Sequence, residues 1–344
     1  MRIIHCIYSL NTGGAETLLI DVLNEQIKKN QVFLIIVNAV YESDLLSKIN
    51  QHVKVFFINR SPSSRSLFPL IQFNYRLLSL RPDAIHVHST SLAAVMLPFF
   101  RHKMFFTAHC IGISSLHFHC FKKIYAISDA VKRDILSKGD FPVIVIPNGI
   151  SVGQILRRSN LMISGAFKIV QVARLYSEVK GQDILIQAVT LLKRQRPDIN
   201  FRVDFIGEGV SRESLEAHVK KNDIVKYVRF LGLRDRNYIY GHLKDYDLLC
   251  HPARTEGFGL TVAEAMAANL PVLVATGDGP FEIIKEGELG SFFKNSSVAD
   301  CANKIALIYD RYQEVLGKAS EARSYVQEKY SIESMAQQYT ENYN

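Results

Sequence analysis

The sequence lacks any apolar run of the roughly 20 residues that a membrane-spanning helix requires, so contact with a membrane is expected to be peripheral. Its apolar start, residues 1–8, resembles the core of a secretory leader only superficially. Polar residues interrupt the next stretch of the chain at Asn11, Glu16 and Asp21, and no small-residue cleavage site comes after them. The segment therefore predicts a first buried strand.

Cysteine is scarce and unpatterned. The five cysteines, at positions 6, 110, 120, 250 and 301, are odd in number and contain no Cys-x-x-Cys pair. This distribution argues against a disulfide framework and favours a reducing compartment, so a cytoplasmic location is expected, with association at the inner face of the plasma membrane left open. A recognised nucleic-acid-binding motif is missing too, so no nucleic-acid partner is expected despite the net charge of +8.

The length of 344 residues is too great for one ordinary core and suits two domains of about 150 to 190 residues. The charge is divided unevenly between them. Residues 1–150 hold 16 Lys and Arg against 9 Asp and Glu, a net +7, whereas residues 151–344 hold 25 against 24, a net +1. The basic excess therefore belongs to the first half.

Basic and aromatic residues are interleaved in that half. The basic clusters lie at 101–103, 122–123 and 132–133, among Phe99, Phe100, Phe105, Phe106, Phe118 and Phe121. One interpretation is a surface that binds an anionic membrane or a lipid-pyrophosphate acceptor. The other is a solvated basic face above a buried aromatic core. The sequence leaves both open.

Apolar runs alternate with amphipathic segments along the chain, which predicts parallel sheets covered by helices. We expect strands at 3–8, 32–39, 53–58, 84–88, 104–109, 123–127 and 143–146, then at 168–172, 202–206, 228–231, 248–251, 272–275 and 291–293. The turn signal at 147–150 separates the two series. The prediction is an α/β chain of two doubly wound, Rossmann-like domains over 1–150 and 167–325, joined by a linker over 151–166 and facing each other across a cleft. A terminal helix over 331–344 is expected to pack back on the first domain.

The most informative motif is a glycine-rich loop between two carboxylates, Glu256 and Glu264. Gly257 and Gly259 form a turn that leads into a short helix, predicted over 260–268. Free amides at such a helix start bind anions, and a pyrophosphate can rest there. Acids are also favoured in the first turns of any helix by the dipole alone, but that would not require so bare a loop.

Six motifs in sequence order carry a family resemblance. They are Thr12-Gly13-Gly14-Ala15-Glu16, Thr107-Ala108-His109, 126–131, Ile146-Pro147-Asn148-Gly149, 172–175 with Lys180-Gly181, and the paired-glutamate loop. Over nearly its whole length the chain resembles the retaining glycosyltransferases of family 4, which have the GT-B fold and include O-antigen and capsule enzymes. The resemblance implies transfer of a hexosyl residue from a nucleotide diphosphate sugar, with a UDP-sugar as the expected donor, to a lipid-linked saccharide. It also implies that the domain over 1–150 binds the acceptor and that the domain over 167–325 binds the nucleotide sugar.

The resemblance also implies roles for individual residues. Arg174 and Lys180 would stabilise the charge on the departing diphosphate, as preorganised cations can. Glu264 would accept hydrogen bonds from the ribose hydroxyls. Glu256 would hold the transferred sugar and give electrostatic support without acting as a nucleophile, and His109 would face the donor sugar.

Backbone contacts with the donor are expected from several turns. Gly13 and Gly14 lie between the first strand and a helix predicted over 15–29, where a plain strand-to-helix turn is the alternative. The others are Gly207, the stretch around Leu231, and the loop residues Gly257, Phe258, Gly259 and Leu260.

No metal and no cofactor are expected. His86-x-His88 and His117-x-His119 have spacing open to metal ligands, but alternation along a strand explains them more simply. Residues 245–247, Asp-Tyr-Asp, imitate an Asp-x-Asp metal motif yet directly precede an apolar strand. The chain departs from the family at Asp278, where a glycine is usual, which puts the shape of that loop in doubt.

Two rival functions remain open. A sugar-nucleotide epimerase can have the same two-domain fold, and it would turn over a UDP-sugar without an acceptor. A catalytically silent partner protein that only binds glycans would show no transfer at all. The set Arg174, Lys180, Glu256 and Glu264 argues against the second.

Overall fold

The computed structural model describes residues 1–11, 13–159 and 162–343. It divides into two compact units. Unit 1 comprises Met1–Gly149 and Ile332–Asn344, and unit 2 comprises Ile150–Ser331. Thr12, the first residue of the predicted Thr-Gly-Gly motif, lies outside the described residues.

The described residues form thirteen strands and thirteen α-helices, numbered in chain order. The strands are β1 Arg2–Ile7, β2 Gln31–Asn38, β3 Lys54–Arg60, β4 Ala84–Val87, β5 Met104–Ala108, β6 Lys123–Ala126, β7 Val143–Val145, β8 Phe167–Val172, β9 Phe201–Ile206, β10 Val228–Phe230, β11 Leu248–His251, β12 Val272–Ala275 and β13 Ser291–Phe293. The helices are α1 Gly14–Gln26, α2 Ser43–Ser47, α3 Phe68–Leu80, α4 Asp129–Leu136, α5 Ser177–Lys180, α6 Gln182–Gln195, α7 Arg212–Lys221, α8 Arg236–His242, α9 Leu260–Ala267, α10 Gly279–Ile283, α11 Val298–Asp310, α12 Tyr312–Lys329 and α13 Ile332–Asn342. Short 3₁₀ helices lie at Thr90–Val95, Pro98–Lys103, Phe118–Cys120, Val152–Gln154, Val225–Tyr227, Leu243–Asp245 and Lys285–Gly287.

Each unit is built on one parallel sheet. The strand order is β3-β2-β1-β4-β5-β6-β7 in unit 1 and β10-β9-β8-β11-β12-β13 in unit 2. Each order runs outwards from a central pair, β1 with β4 and β8 with β11. Such crossovers need helices between the strands, and the helices cover the buried apolar runs. The predicted α/β fold of two Rossmann-like domains is confirmed.

The core of unit 1 contains both ends of the chain. Ile3 of β1, Leu18 of α1 and Tyr125 of β6 are buried in one cluster with Met335 and Tyr339 of α13. The apolar side chains of α13 recur at helical spacing, which is why one face of this helix is buried. The terminal helix thus supplies part of the core beneath the first sheet.

The core of unit 2 lies between its sheet and helices α6 and α11. Ile184 and Leu185 of α6 pack with Ile305 and Ile308 of α11 and with Phe205 of β9. Residues 151–166, interpreted from the sequence as a linker, are grouped with this unit.

Most of the aromatic side chains in the basic and aromatic segments belong to the core. Of the six phenylalanines named above, five are buried and only Phe99 is exposed. A core role for these phenylalanines leaves contact of the basic residues with a membrane as a prediction.

Exposed apolar side chains gather instead on α3. Phe68, Ile71 and Tyr75 are each at least 65% exposed, and their spacing of three and four residues places them on one helical face. Leu67, directly before the helix, is 70% exposed. No sequence motif singled out this helix. Among the helices of the described residues, none has the length and apolar character needed to span a bilayer.

Candidate functional site

The site predicted in unit 2 forms where parallel strands end. The carboxyl ends of β8, β9, β11 and β12 meet at one edge of the sheet, the edge at which open α/β sheets bind ligands. Arg174 follows β8, Gly207 follows β9, and the loop containing Glu256 follows β11. The fold therefore brings these residues to the same edge.

The centre of this site is an ion pair between Lys180 and Glu256. The Lys180 Nζ atom donates to Glu256 Oε2, and His251 Nε2 lies 3.4 Å from the same oxygen. The three side chains are 24%, 20% and 3% exposed for Lys180, Glu256 and His251. Burial alone would raise the pKa of Glu256, but His251 and Lys180 outweigh it and lower that pKa to about 2. Glu256 is therefore a carboxylate at any physiological pH.

The backbone of Glu256 is fixed by Asp278, the residue at which the sequence departs from the family pattern. Asp278 Oδ2 accepts a hydrogen bond of 3.0 Å from the Glu256 amide, and the Gly279 amide donates to the Glu256 carbonyl at 3.1 Å. A Cβ atom on Gly279 would lie 2.4 Å from the carbonyl oxygen of Gly257. The two loops thus touch through backbone, and the aspartate supports the glutamate loop.

A second brace holds the start of the same loop. The Arg254 guanidinium makes a bidentate contact with Asp183 of α6, at 2.9 and 2.6 Å, and also donates to the Ser177 carbonyl at 2.7 Å. Burial raises the pKa of Asp183, but Arg254 outweighs it and holds that pKa below its usual range. Planar fork contacts of this kind fix geometry as well as charge.

The helix that follows the loop begins at Leu260, as predicted, and ends at Ala267. Gly259 precedes it with φ of 99°, a left-handed conformation that favours glycine. The Gly259 carbonyl accepts hydrogen bonds from the amides of Val262 and Ala263. The amides at the very start of the helix come before the first intrahelical acceptor, so the helix itself cannot satisfy them. Glu264 lies one turn inside α9 and is 8% exposed.

Among the predicted residues of unit 2, Phe258 can offer a ligand only its backbone, and Leu231 lies at the margin of the site. The Phe258 ring is buried and packs edge-on against Tyr330 at 5.4 Å, so its side chain belongs to the core. Leu231 is half-buried just after β10, where its amide donates to the Phe205 carbonyl. Arg174 is exposed, and among the described residues no acidic side chain pairs with it.

Gly207 is packed against the turn that carries Arg174. Its φ is 141°, and a Cβ atom there would lie 2.1 Å from the Ala173 carbonyl oxygen. We therefore expect Gly207→Ala to lower the free energy of unfolding by roughly 2 kcal/mol. Gly241→Ala in α8 is the matched control, because a Cβ atom there meets nothing within 4 Å. Urea titrations followed by circular dichroism check both; equal stability of the two variants would contradict the prediction.

The remaining predicted residues, Gly13, Gly14 and His109, belong to unit 1. Gly13 precedes α1 with extended backbone (φ −166°), and its carbonyl accepts from the Thr17 amide and hydroxyl. Its backbone conformation thus does not require glycine. His109 is half-buried directly after β5, and burial lowers its pKa to about 4.

His109 lies in a group of histidines whose proximity was not predicted from the sequence. His5 of β1 and His86 of β4 are paired in register, and His88 comes two residues after His86. The nitrogen atoms of His5, His86 and His88 lie within 4.8 Å of one another, a spacing that can accommodate a metal ion. In the structure these nitrogens make hydrogen bonds within unit 1.

Comparison with known proteins places these two units in a family. The model for "Glycosyltransferase Family 4" matches residues 12–154, and the model for "Glycosyl transferases group 1" matches residues 154–325, half of the chain. The chain belongs to the glycosyl transferases group 1 family. The carboxyl-terminal match contains Arg174, Lys180, Glu256 and Glu264.

Individual relatives of this chain agree with the family assignment. A UDP-N-acetylglucosamine–peptide N-acetylglucosaminyltransferase GtfA subunit of Streptococcus agalactiae is 31% identical over 149 residues, 43% of this chain and 28% of that protein. A D-inositol 3-phosphate glycosyltransferase of Pseudarthrobacter chlorophenolicus is 26% identical over 159 residues, 45% of this chain and 37% of that protein. The matched part is thus only about a third of the length of either relative.

A solved structure matches this chain over nearly its whole length. Anabaena Alr3699/HepE, crystallised in complex with UDP-glucose, superimposes with a TM-score of 0.83 at 20% identity, covering 99% of this chain and 98% of that one. At this identity the likeness concerns the fold, which is the GT-B fold of the family.

The protein is expected to lose stability in mild acid through its buried histidines. Burial lowers the pKa of His5 from 6.5 to about 4, so the unfolded chain binds a proton in this range that folded His5 does not. Stability from His5 is therefore present above pH 6.5 and is lost as the pH falls towards 4, by about 2 kcal/mol between pH 7 and pH 5. His86 and His88 beside it act in the same direction.

Urea unfolding measured from pH 7 to pH 5 tests this expectation. The variant His5→Gln should show a flatter dependence on pH than the native protein. His52→Gln is the matched control, because His52 is exposed and should leave the slope unchanged. A native protein whose unfolding free energy is constant over this range would contradict the role of the buried histidines.

Proposed function

We propose that this glycosyltransferase moves a hexosyl residue, with retention of configuration, from a UDP-sugar to a lipid-linked saccharide in surface-polysaccharide assembly of the O-antigen or capsule type. The observation that carries the proposal is the ionised Glu256, paired with Lys180 beside the glycine-lined start of α9. A carboxylate there can accept from sugar hydroxyls while the cation and the helix amides face phosphate oxygens.

The donor is proposed to lie along the strand ends of unit 2. Arg174, exposed and unpaired with any described acid, and Lys180 would bind the diphosphate and stabilise its charge as it leaves. Glu264, one turn inside α9, would accept from the ribose hydroxyls. The complex of Anabaena Alr3699/HepE with UDP-glucose supports a uridine donor by likeness of fold.

Glu256 is proposed to position the sugar rather than to attack it. Its pKa of about 2 keeps it ionised, and its contact with Lys180 occupies one oxygen. The acceptor hydroxyl would instead lose its proton to the leaving phosphate. No metal is required by this scheme, because the two cations serve the phosphates and Asp247 is engaged by Arg158.

Contact with an anionic membrane surface is proposed to use α3. Its exposed face carries Phe68, Ile71 and Tyr75, and Arg76 lies on the same helix. Apolar side chains with nearby cations suit an anionic lipid surface. Co-sedimentation with vesicles that contain phosphatidylglycerol tests this contact; equal recovery of the native protein and of Ile71→Ser would refute it.

One donor screen tests the enzymatic proposal. The purified protein is incubated with UDP-hexoses and a membrane lipid extract, and products are measured by mass, with stabilisation by each nucleotide measured in parallel. We expect a lipid product one hexose heavier, formed with chelator present. Conversion of a UDP-sugar without lipid would indicate an epimerase. Binding of glycans with no transfer from any donor would indicate a silent partner protein, and activity restored by Mn²⁺ after chelation would contradict metal independence.

A further inference from the structure

Four polar side chains of unit 1 form one continuous line of hydrogen bonds that ends at His109. His5 Nε2 lies 2.8 Å from Gln26 Oε1, His5 Nδ1 lies 3.1 Å from His88 Nε2, and His88 Nδ1 lies 3.4 Å from His109 Nε2. The successive rings are near parallel, at 18° and 23°, so each nitrogen meets its neighbour edge to edge. We call these four residues the histidine relay.

The direction of the relay follows from its first member. The carbonyl oxygen of Gln26 can only accept, so His5 must carry its proton on Nε2. The Nδ1 atom of neutral His5 is then an acceptor, so His88 must carry its proton on Nε2. The same step repeated at His88 places the proton of His109 on Nε2 and leaves His109 Nδ1 with a free lone pair.

A second branch is consistent with the same orientation of Gln26. The Gln26 amide nitrogen lies 3.3 Å from the Tyr343 hydroxyl, which lies 2.7 Å from His86 Nδ1. With Gln26 donating to Tyr343, the phenol can donate to His86 Nδ1, and His86 Nε2 can donate to Thr107 Oγ1 at 2.6 Å. Each contact of the two branches then pairs one donor with one acceptor, as a stable buried network requires.

We propose that Gln26, His5 and His88 are positioning residues that hold His109 as its Nε2–H tautomer. His109 then presents Nδ1 as a hydrogen-bond acceptor, and, resting on the proposed function, it accepts from a hydroxyl of the donor sugar instead of donating to it. Among the described residues no side chain occupies this Nδ1 atom.

Two properties of the site support the relay. Burial lowers the pKa of His5 and of His109 to about 4, and burial together with the neighbouring histidines lowers that of His88, so all three rings are neutral near pH 7 and each has one defined tautomer. The alternative, a metal ion between His5, His86 and His88, would have to break hydrogen bonds, because both nitrogens of His86 are already engaged.

The test is a two-bond ¹H–¹⁵N correlation spectrum of the full chain labelled with ¹⁵N-histidine, which distinguishes a protonated nitrogen from one with a lone pair. His109→Gln identifies the signals of His109. We expect Nδ1 of His109 to be the lone-pair nitrogen in the native protein at pH 7. In Gln26→Met, which removes the amide at similar size, His109 should become a mixture of both tautomers. Thr107→Val is the matched control, since it removes a buried hydroxyl from the other branch only, and it should leave His109 unchanged.

Several results would overturn the relay. These are a protonated Nδ1 on His109 in the native protein, an unchanged tautomer in Gln26→Met, or shifts of the His5, His86 and His88 signals that saturate with one equivalent of Zn²⁺. If Gln26→Met does not fold, the native spectrum still decides. The spectrum needs neither donor nor turnover. An inactive protein with a lone-pair Nδ1 would therefore contradict the proposed function alone, and an active protein with a protonated Nδ1 would contradict the relay alone.

Discussion

Replacing Glu256 with glutamine is expected to lower kcat for sugar transfer by about 10²- to 10³-fold while changing the donor KM little. The amide keeps the size of the side chain and can still accept from Lys180, so the loop should hold its shape. The variant loses a full negative charge in a largely enclosed position, beside the place proposed for the reacting sugar. Steady-state kinetics with the donor identified by the screen measure this loss.

A matched control separates this effect from a general loss of carboxylate charge. Glu213 is exposed on α7, remote in sequence from the site loops, and Glu213→Gln should retain native kinetics. Near-native turnover of Glu256→Gln would remove any catalytic role from this residue. A raised KM with unchanged kcat would assign it to ground-state binding alone.

The low pKa of Glu256 also limits how the activity of the native protein can depend on pH. Because this pKa is about 2, protonation of Glu256 cannot cause loss of activity between pH 5 and pH 8. The lysine and the histidine that keep it ionised come from the end of α5 and the end of β11. From the sequence, Lys180 was predicted as a phosphate ligand, but neither its contact with Glu256 nor the presence of His251 beside that carboxylate was predicted.

The strands were predictable because each is a short, mostly apolar run, which is a property of local sequence. The central strands β4, β5, β11 and β12 are buried along their whole length. The predicted limits of β11, β12 and β13 agree with the structure, and the other strands differ by one or two residues at their ends. The helix α9 was equally predictable, since glycine precedes it and Asn269 and Pro271 come after it. Local sequence is sufficient for such elements.

The contacts between loops were not predictable, because they join residues distant in sequence. Asp278 looked like a departure from a family pattern, and only the structure shows it accepting the Glu256 amide. The histidine relay was not predictable for the same reason. His5, His88 and His109 belong to or follow three strands that are neighbours in the sheet order, and the order of strands is not written in any one of them.

The Asp-Tyr-Asp sequence at 245–247 is a further case, and it leads to the largest expected loss of stability. Asp247 is 6% exposed and pairs at 2.7 Å with Arg158, which is 3% exposed and lies 89 residues earlier. Asp247 also accepts from the Lys168 amide at 2.8 Å. Asp247 therefore anchors the segment before β8 to the strand β11. Both of its carboxylate oxygens are engaged, one by Arg158 and the other by the Lys168 amide.

Arg158→Met is expected to lower the free energy of unfolding by about 3 to 5 kcal/mol, because it leaves the Asp247 charge buried without its partner. The double variant Arg158→Met with Asp247→Asn should recover most of the loss, since the amide can still accept from Lys168. Urea unfolding of the single and double variants forms a cycle that isolates the pair. The exposed pair of Arg196 and Asp310, at 2.9 Å, provides the control, and Arg196→Met should cost far less.

The same cycle tests whether Asp247 serves chemistry. If its carboxylate only pairs with Arg158, the double variant should transfer sugar at nearly the native rate once it is folded. A double variant that is as stable as the native protein but inactive, with activity in the native protein restored by Mn²⁺ after chelation, would make Asp247 a metal ligand. In that case Arg158 would be its counter-ion in the metal-free protein, and the metal-free scheme built on Arg174 and Lys180 would have to be abandoned.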